Sequence, residues 1–78
     1  MANNGLCSYC LYVNTYTRAT LVDHYIPVRD AYERRYDATN LISSCSACNT
    51  RKAIDEDKLR NNQITVEEFK SRWRYERE

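Results

Sequence analysis

A chain of 78 residues with a formal net charge of +1 has room for one domain and no overall field to draw it to an acidic partner. Its hydrophobic residues, 42% of the total, include seven tyrosines that prefer one wet end, so the aliphatic core is thin and a staple is expected. No apolar run suits a membrane span and no leader peptide is evident, so the chain is expected in the reducing cytoplasm.

In chain order, residues 1–6 read as a polar lead-in, expected to be mobile. Cys7-Ser8-Tyr9-Cys10 follows. Leu11-Tyr12-Val13 is β-prone, and Asn14-Thr15-Tyr16-Thr17 reads as a turn or strand edge. Ala19 to Ile26 is the best strand candidate, closed by Pro27, which a strand tolerates only at its end. Residues 28–39 contain no glycine, and their periodicity fits either a loop or one or two helical turns. Asn40-Leu41-Ile42-Ser43-Ser44 is a second short strand, which predicts a hairpin with an unusually long loop.

A helix is predicted from Cys48 to about Arg60, stopped by Asn61-Asn62. The last helix has the clearest start. Thr65 and Glu68 form a capping box, and Ile64 and Phe69 sit at hydrophobic-staple positions. Val66, Phe69 and Trp73 share one face, read as core and not as a platform for bases; Lys70, Arg74 and Arg77 share another.

The cysteines fall as two Cys-x-x-Cys pairs with 34 residues between them, Cys7/Cys10 and Cys45/Cys48. That symmetry predicts a tetrahedral zinc site; two disulfides are the competing reading, which a reducing compartment disfavours. Between the pairs stands Asp23-His24, with the only histidine. Adjacent strand residues point to opposite faces, so the two can do different work. If the second cysteine pair pins the next helix to the hairpin, Asn49 comes near Asp23. Carboxylate and amide carbonyl are hard oxygen donors, suited to Mg²⁺ or Mn²⁺ engaged with a phosphate, while an imidazole can take a proton from water. The plain alternatives are a buried structural histidine at His24, a turn residue at Asn40, a helix N-cap at Asn49 and a solvent-facing Lys52.

Asp23-His24-x-Ile26-Pro27, Asp37-x-x-Asn40-Leu41 and Cys45-x-x-Cys48-Asn49-x-x-Lys52, with Cys7-x-x-Cys10 ahead of them, together resemble an HNH nuclease of the ββα-metal class, four-cysteine branch. The resemblance covers residues 7–53, with 54–78 as a helical extension of the same single domain. It implies a small α+β fold, in which a β-hairpin packs on a helix beside structural zinc knuckles. It implies a catalytic Mg²⁺ or Mn²⁺ on Asp23 and Asn49, His24 as general base, and Asn40 bonding the backbone near His24 or the imidazole itself. Cys7, Cys10, Cys45 and Cys48 would hold a closed structural zinc. The implied reaction is hydrolysis of DNA phosphodiesters, by nicking or double-strand cutting.

Two departures from the family pattern bear on this. The loop between the strands is rich in Arg and Tyr where the family has glycines, and the final ligand is Asn, not His. Arg29, Arg34, Arg35, Arg51 and Lys52 are the candidate DNA contacts, which position a backbone without reading bases. Weak sequence preference follows, or specificity supplied by a homodimer or a partner protein. A chain this short resembles the small stand-alone members often encoded by phages. The other function considered is a non-catalytic four-cysteine zinc module that binds nucleic acid or protein. Such a module would have no use for Asp23, His24 and Asn49 together.

Overall fold

Five elements follow one another in the computed structural model: α1 (Ser8–Tyr12), β1 (Leu21–His24), β2 (Leu41–Ser44), α2 (Ser46–Arg60) and α3 (Val66–Arg72). The structure describes residues 5–75, so most of the polar lead-in, and Arg77, lie outside the described residues. A bridge between Leu6 and Arg18 and a bond from Cys7 N–H to the Thr17 carbonyl (2.7 Å) fold the first knuckle onto the approach to β1. Leu11 and Tyr12, read from the sequence as β-prone, instead close α1. The knuckle decides this: the Cys7 carbonyl accepts from Leu11 N–H (2.9 Å), so the turn runs on as helix and local propensity is overridden. Asn14, at φ 61°, then reverses the chain in a conformation that asparagine tolerates.

β1 and β2 pair antiparallel, with Asp23 opposite Ile42 and His24 opposite Leu41. β1 is shorter than the expected 19–26. At its far end the backbone of Ile26 bonds the Asn40 side chain instead of a neighbouring strand, and Pro27 follows. The connecting loop contains two single 3-10 turns, Tyr32–Arg34 and Ala38–Asn40. Asp37 shapes the second: its carboxylate accepts from the Thr39 hydroxyl (2.6 Å), from Thr39 N–H (2.9 Å) and from Arg34 Nε (3.0 Å). Those bonds, the Thr39 hydroxyl first, hold the Asp37 carboxyl below its ordinary range. A capping carboxylate thus organises a loop that has no glycine.

α2 begins at Ser46, two residues before the expected start, because the Cys45 sulfur is its N-cap and accepts from Cys48 N–H (3.5 Å). Asn49 is therefore not a cap. The helix stops where Asn61-Asn62 predicted. Asn62 takes φ 57°, and the N–H groups of Gln63 and Asn62 close on the carbonyls of Lys58 (2.8 Å) and Leu59 (3.1 Å), a Schellman ending. At α3 both arms of the Thr65–Glu68 capping box are formed, at 3.1 and 3.0 Å. Phe69 and Trp73 are buried. Val66, expected on the same face, is 54% exposed. It lines an open apolar cleft of about 200 Å³ with Pro27, Leu59 and Phe69.

The core is cysteine and aromatic, as the thin aliphatic content predicts: Cys7, Tyr9, Ile42, Cys45, Cys48, Phe69 and Trp73. Tyr9 meets Trp73 edge to face at 5.4 Å, and Trp73 Nε1 donates to Asp55 of α2 at 2.9 Å, which docks α3. No described helix is long and apolar enough to cross a membrane.

Candidate active site

The two knuckles converge. All four cysteines are free, and their sulfurs lie within 4.8 Å of one another, with Cys10 3.5 Å from Cys48 and 3.9 Å from Cys45. Four sulfurs around one ion at a zinc–sulfur bond of about 2.3 Å would stand about 3.8 Å apart; a disulfide needs about 2.05 Å. Burial pushes the Cys48 thiol up, and the sulfurs of Cys10 and Cys45 push it further. Burial raises Cys10 as well. At Cys7 burial acts upward too, but backbone hydrogen bonds at Cys10 and Cys45 outweigh it and leave that thiol below its ordinary value. Four thiolates this close repel one another unless a cation sits among them, and the donor set fits a single metal ion with no open position.

The hairpin sends Asp23 and His24 in different directions. The Asp23 carboxylate faces α1 and α2. Its Oδ2 accepts from the Tyr9 hydroxyl at 2.6 Å and lies 3.1 Å from Lys52 Nζ. Burial, with the Asp23 charge behind it, holds the Tyr9 phenol far above the ordinary tyrosine range, so Tyr9 stays a donor. Asp23 Oδ1 has no hydrogen bond among the described residues. No buried side-chain nitrogen or oxygen there is left unpaired, so Oδ1 keeps some contact with solvent on a side chain that is 11% exposed.

Lys52 corrects the sequence reading. Expected at DNA or in solvent, its side chain is 0% exposed, clamped between Asp23 and Glu56 Oε2 (2.5 Å) and donating to the Tyr25 carbonyl at 2.9 Å. A buried ammonium needs opposite charge and acceptors around it, and Glu56 one helical turn on supplies the second carboxylate. One ammonium between two carboxylates leaves a net negative charge, which favours a divalent cation.

His24 points toward the loop, where its Nε2 lies 2.9 Å from the Arg35 carbonyl. A carbonyl only accepts, so Nε2 carries the proton and the lone pair of the neutral ring is on Nδ1. Asn40, 1% exposed, spans the backbone two residues past His24. Its Oδ1 accepts from Ile26 N–H (2.8 Å), its Nδ2 donates to the Ile26 carbonyl (3.0 Å), and its own carbonyl accepts from Tyr25 N–H (2.9 Å). It bonds the backbone and not the imidazole. Asn49 is half-buried in the first turn of α2. It is three residues before Lys52, which puts it on the same helix face by spacing, and no hydrogen bond joins its side chain to Asp23 among the described residues.

The arginines divide. Arg29 and Arg51 are exposed and form no ion pair among the described residues. Arg34 is spent on Asp37 and Thr39. Arg35 lies over the Tyr32 ring at 3.8 Å and beside that of Tyr36 at 4.9 Å. Its side chain thereby steadies the carbonyl that His24 meets. Sequence reasoning missed Tyr9, Glu56 and the Arg35 carbonyl. Only Glu56 carried a readable signal, its i, i+4 spacing from Lys52.

The family model of the HNH endonuclease matches residues 7–53. The chain is similar to the HNH endonuclease of the deep-sea thermophilic bacteriophage GVE2, whose crystal structure was determined with manganese ion. The two are 39% identical with a TM-score of 0.69 over 72% of this chain, which spans 61% of the phage chain. No curated protein matches the sequence. More than half of the residues fall within the family model, and the hairpin and helix that carry the matched motifs are in place. This chain belongs to the HNH endonuclease family.

Proposed function

We propose that the chain is a metal-dependent DNA endonuclease that hydrolyses phosphodiester bonds, with Mg²⁺ or Mn²⁺ held by Asp23 and Asn49, His24 as general base, and zinc on the four cysteines. The observation that carries the reading is the state of His24. Its Nε2 is engaged by a loop carbonyl, and its Nδ1 has no hydrogen bond among the described residues. A buried structural histidine would have both nitrogens engaged inside the fold, whereas His24 is half-buried with only Nε2 engaged. The Asp23 Oδ1 without a hydrogen bond among the described residues, the hard oxygen donors and the manganese in the GVE2 structure support the ion assignment.

The bound ion would stabilise charge growing on the phosphate and the leaving oxygen. The chain's residues do the rest. His24 Nδ1 takes a proton from the attacking water, and the charge this puts on the ring is shared with the Arg35 carbonyl through Nε2. Asn40 fixes the direction in which the chain leaves His24. Of the five candidate cations, Arg29, Arg35 and Arg51 remain for the DNA backbone, with Arg34 through whatever its ion pair leaves free. Contacts of that kind give weak sequence preference, with specificity left to a second copy or a partner protein.

Supercoiled plasmid incubated with the zinc-loaded chain tests this. Nicking is expected with Mg²⁺ or Mn²⁺ and not with EDTA, and His24→Ala should be slower by roughly 100-fold or more. Plasmid left equally intact by wild type and mutant under all conditions would sink the proposal.

A further inference from the structure

Tyr9 stands between Cys7 and Cys10 of the four-cysteine cluster, yet its hydroxyl ends on Asp23, the proposed ligand of the divalent ion. Its ring is buried against Trp73 and its own exposure is 5%, so the phenol has one place to go. The oxygen it reaches, Oδ2, is the one Lys52 also holds, and Oδ1 has no hydrogen bond among the described residues. A carboxylate free to rotate offers either oxygen, or both, to an ion. One held at Oδ2 by a phenol and an ammonium presents the other oxygen alone, at a fixed angle.

We propose that Tyr9 is a positioning residue for the divalent ion: from within the first knuckle its hydroxyl locks Asp23 through Oδ2, with Lys52 on the same atom, so that Oδ1 alone meets the metal. This rests on the reading of Asp23 as an ion ligand. It also gives the four-cysteine site a second role beyond holding the fold. The first knuckle delivers Tyr9 to Oδ2, and the second starts the helix that delivers Lys52 to it and carries Asn49 one turn earlier. The two metal sites are thereby coupled through a single carboxylate. Groups around a ligand that orient it in this way typically change metal affinity by about 10–100-fold when removed.

The test is Mn²⁺ binding to the zinc-loaded full chain, followed by titration calorimetry and by the loss of the free-ion electron paramagnetic resonance signal. The variants are Tyr9→Phe, which keeps the ring and its contact with Trp73, and Asp23→Asn. Tyr9→Phe should keep its zinc and bind Mn²⁺ roughly 10–100-fold more weakly. Wild-type affinity in Tyr9→Phe, with affinity lost in Asp23→Asn, overturns the role of Tyr9 and leaves the Asp23 reading standing. Equal affinity in wild type and Asp23→Asn removes that reading and the proposal with it. Should Tyr9→Phe lose its zinc, the wild-type chain answers by NMR. The Tyr9 hydroxyl proton should exchange slowly and shift when Mg²⁺ is added; a fast-exchanging hydroxyl that Mg²⁺ leaves unmoved overturns the proposal.

Discussion

Replacing Asn40 by alanine removes both arms of a bond pair that no other described side chain duplicates. Asn40 Oδ1 and Nδ2 satisfy the N–H and carbonyl of Ile26 at 2.8 and 3.0 Å, and the residue is 1% exposed. Each lost bond costs about 1–1.5 kcal/mol where water can partly replace it, and Ile26 is half-buried, so the total is about 2–3 kcal/mol. A chain of 78 residues is stable by roughly 4–12 kcal/mol, so the variant should fold but with a visibly lowered midpoint. Urea unfolding at a fixed free zinc concentration, read by the fluorescence of buried Trp73, measures the loss. Asn40→Asp is the sharper control. It keeps an acceptor for Ile26 N–H but turns an oxygen toward the Ile26 carbonyl, so it should not rescue the loss. If both variants stay within about 0.5 kcal/mol of wild type, the claim that this amide fixes the backbone beyond His24 is wrong.

Three further outcomes follow from the same structure. Lys52→Met leaves Asp23 and Glu56 without their ammonium and should cost about 3–5 kcal/mol, part of which Lys52→Met/Glu56→Gln should recover in the same urea assay. Metal analysis should find about one zinc per chain, and Cys45→Ser, or a strong chelator, should unfold the domain as seen by circular dichroism, because binding of the ion is folding energy in a core this small. Stability should fall as pH rises past the ordinary tyrosine value of 10.0. Burial and the nearby Asp23 charge keep the native Tyr9 phenol protonated above the point where the unfolded chain releases its proton, and Tyr25 is raised in the same direction, by burial first. The Tyr9 contribution is complete below that pH and declines above it. Tyr9→Phe should flatten the alkaline limb of a stability-against-pH curve, and an unchanged slope would contradict the assignment.

What the sequence made legible was whatever a local rule could see. The Thr65–Glu68 box, the Asn61-Asn62 stop, the paired cysteines and the hairpin around Asp23-His24 each have a short-range signature. The failures share a cause as well. The inward face of α2 carries buried Cys48 and Lys52 and half-buried Glu56, so charge occupies positions where an amphipathic pattern expects carbon. Lys52 therefore read as a surface cation. Leu11 and Tyr12 became helical because the turn of the first knuckle runs on into them through the Cys7 carbonyl, an effect no propensity carries. The loop's contribution to His24 is a main-chain carbonyl, which every residue possesses and no residue type advertises. Glycine turned out not to be needed there, since Asp37 performs the turn with its side chain. The site was thus visible as a set of residue types and in two of its contacts, the converging cysteines and the Asn40 bond to the backbone past His24, while the partners of Asp23 and of the imidazole were not.

In the proposed mechanism two neighbours divide the work: Asp23 holds the ion and His24 moves the proton. The direct test is the initial rate of cleavage of a labelled DNA duplex against Mn²⁺ concentration, for wild type, His24→Ala and Asp23→Asn. His24→Ala should lower the saturating rate by about 100- to 10,000-fold with an unchanged half-saturating Mn²⁺ concentration, and Asp23→Asn should raise that concentration. A shifted metal requirement in His24→Ala together with an unshifted one in Asp23→Asn would contradict it.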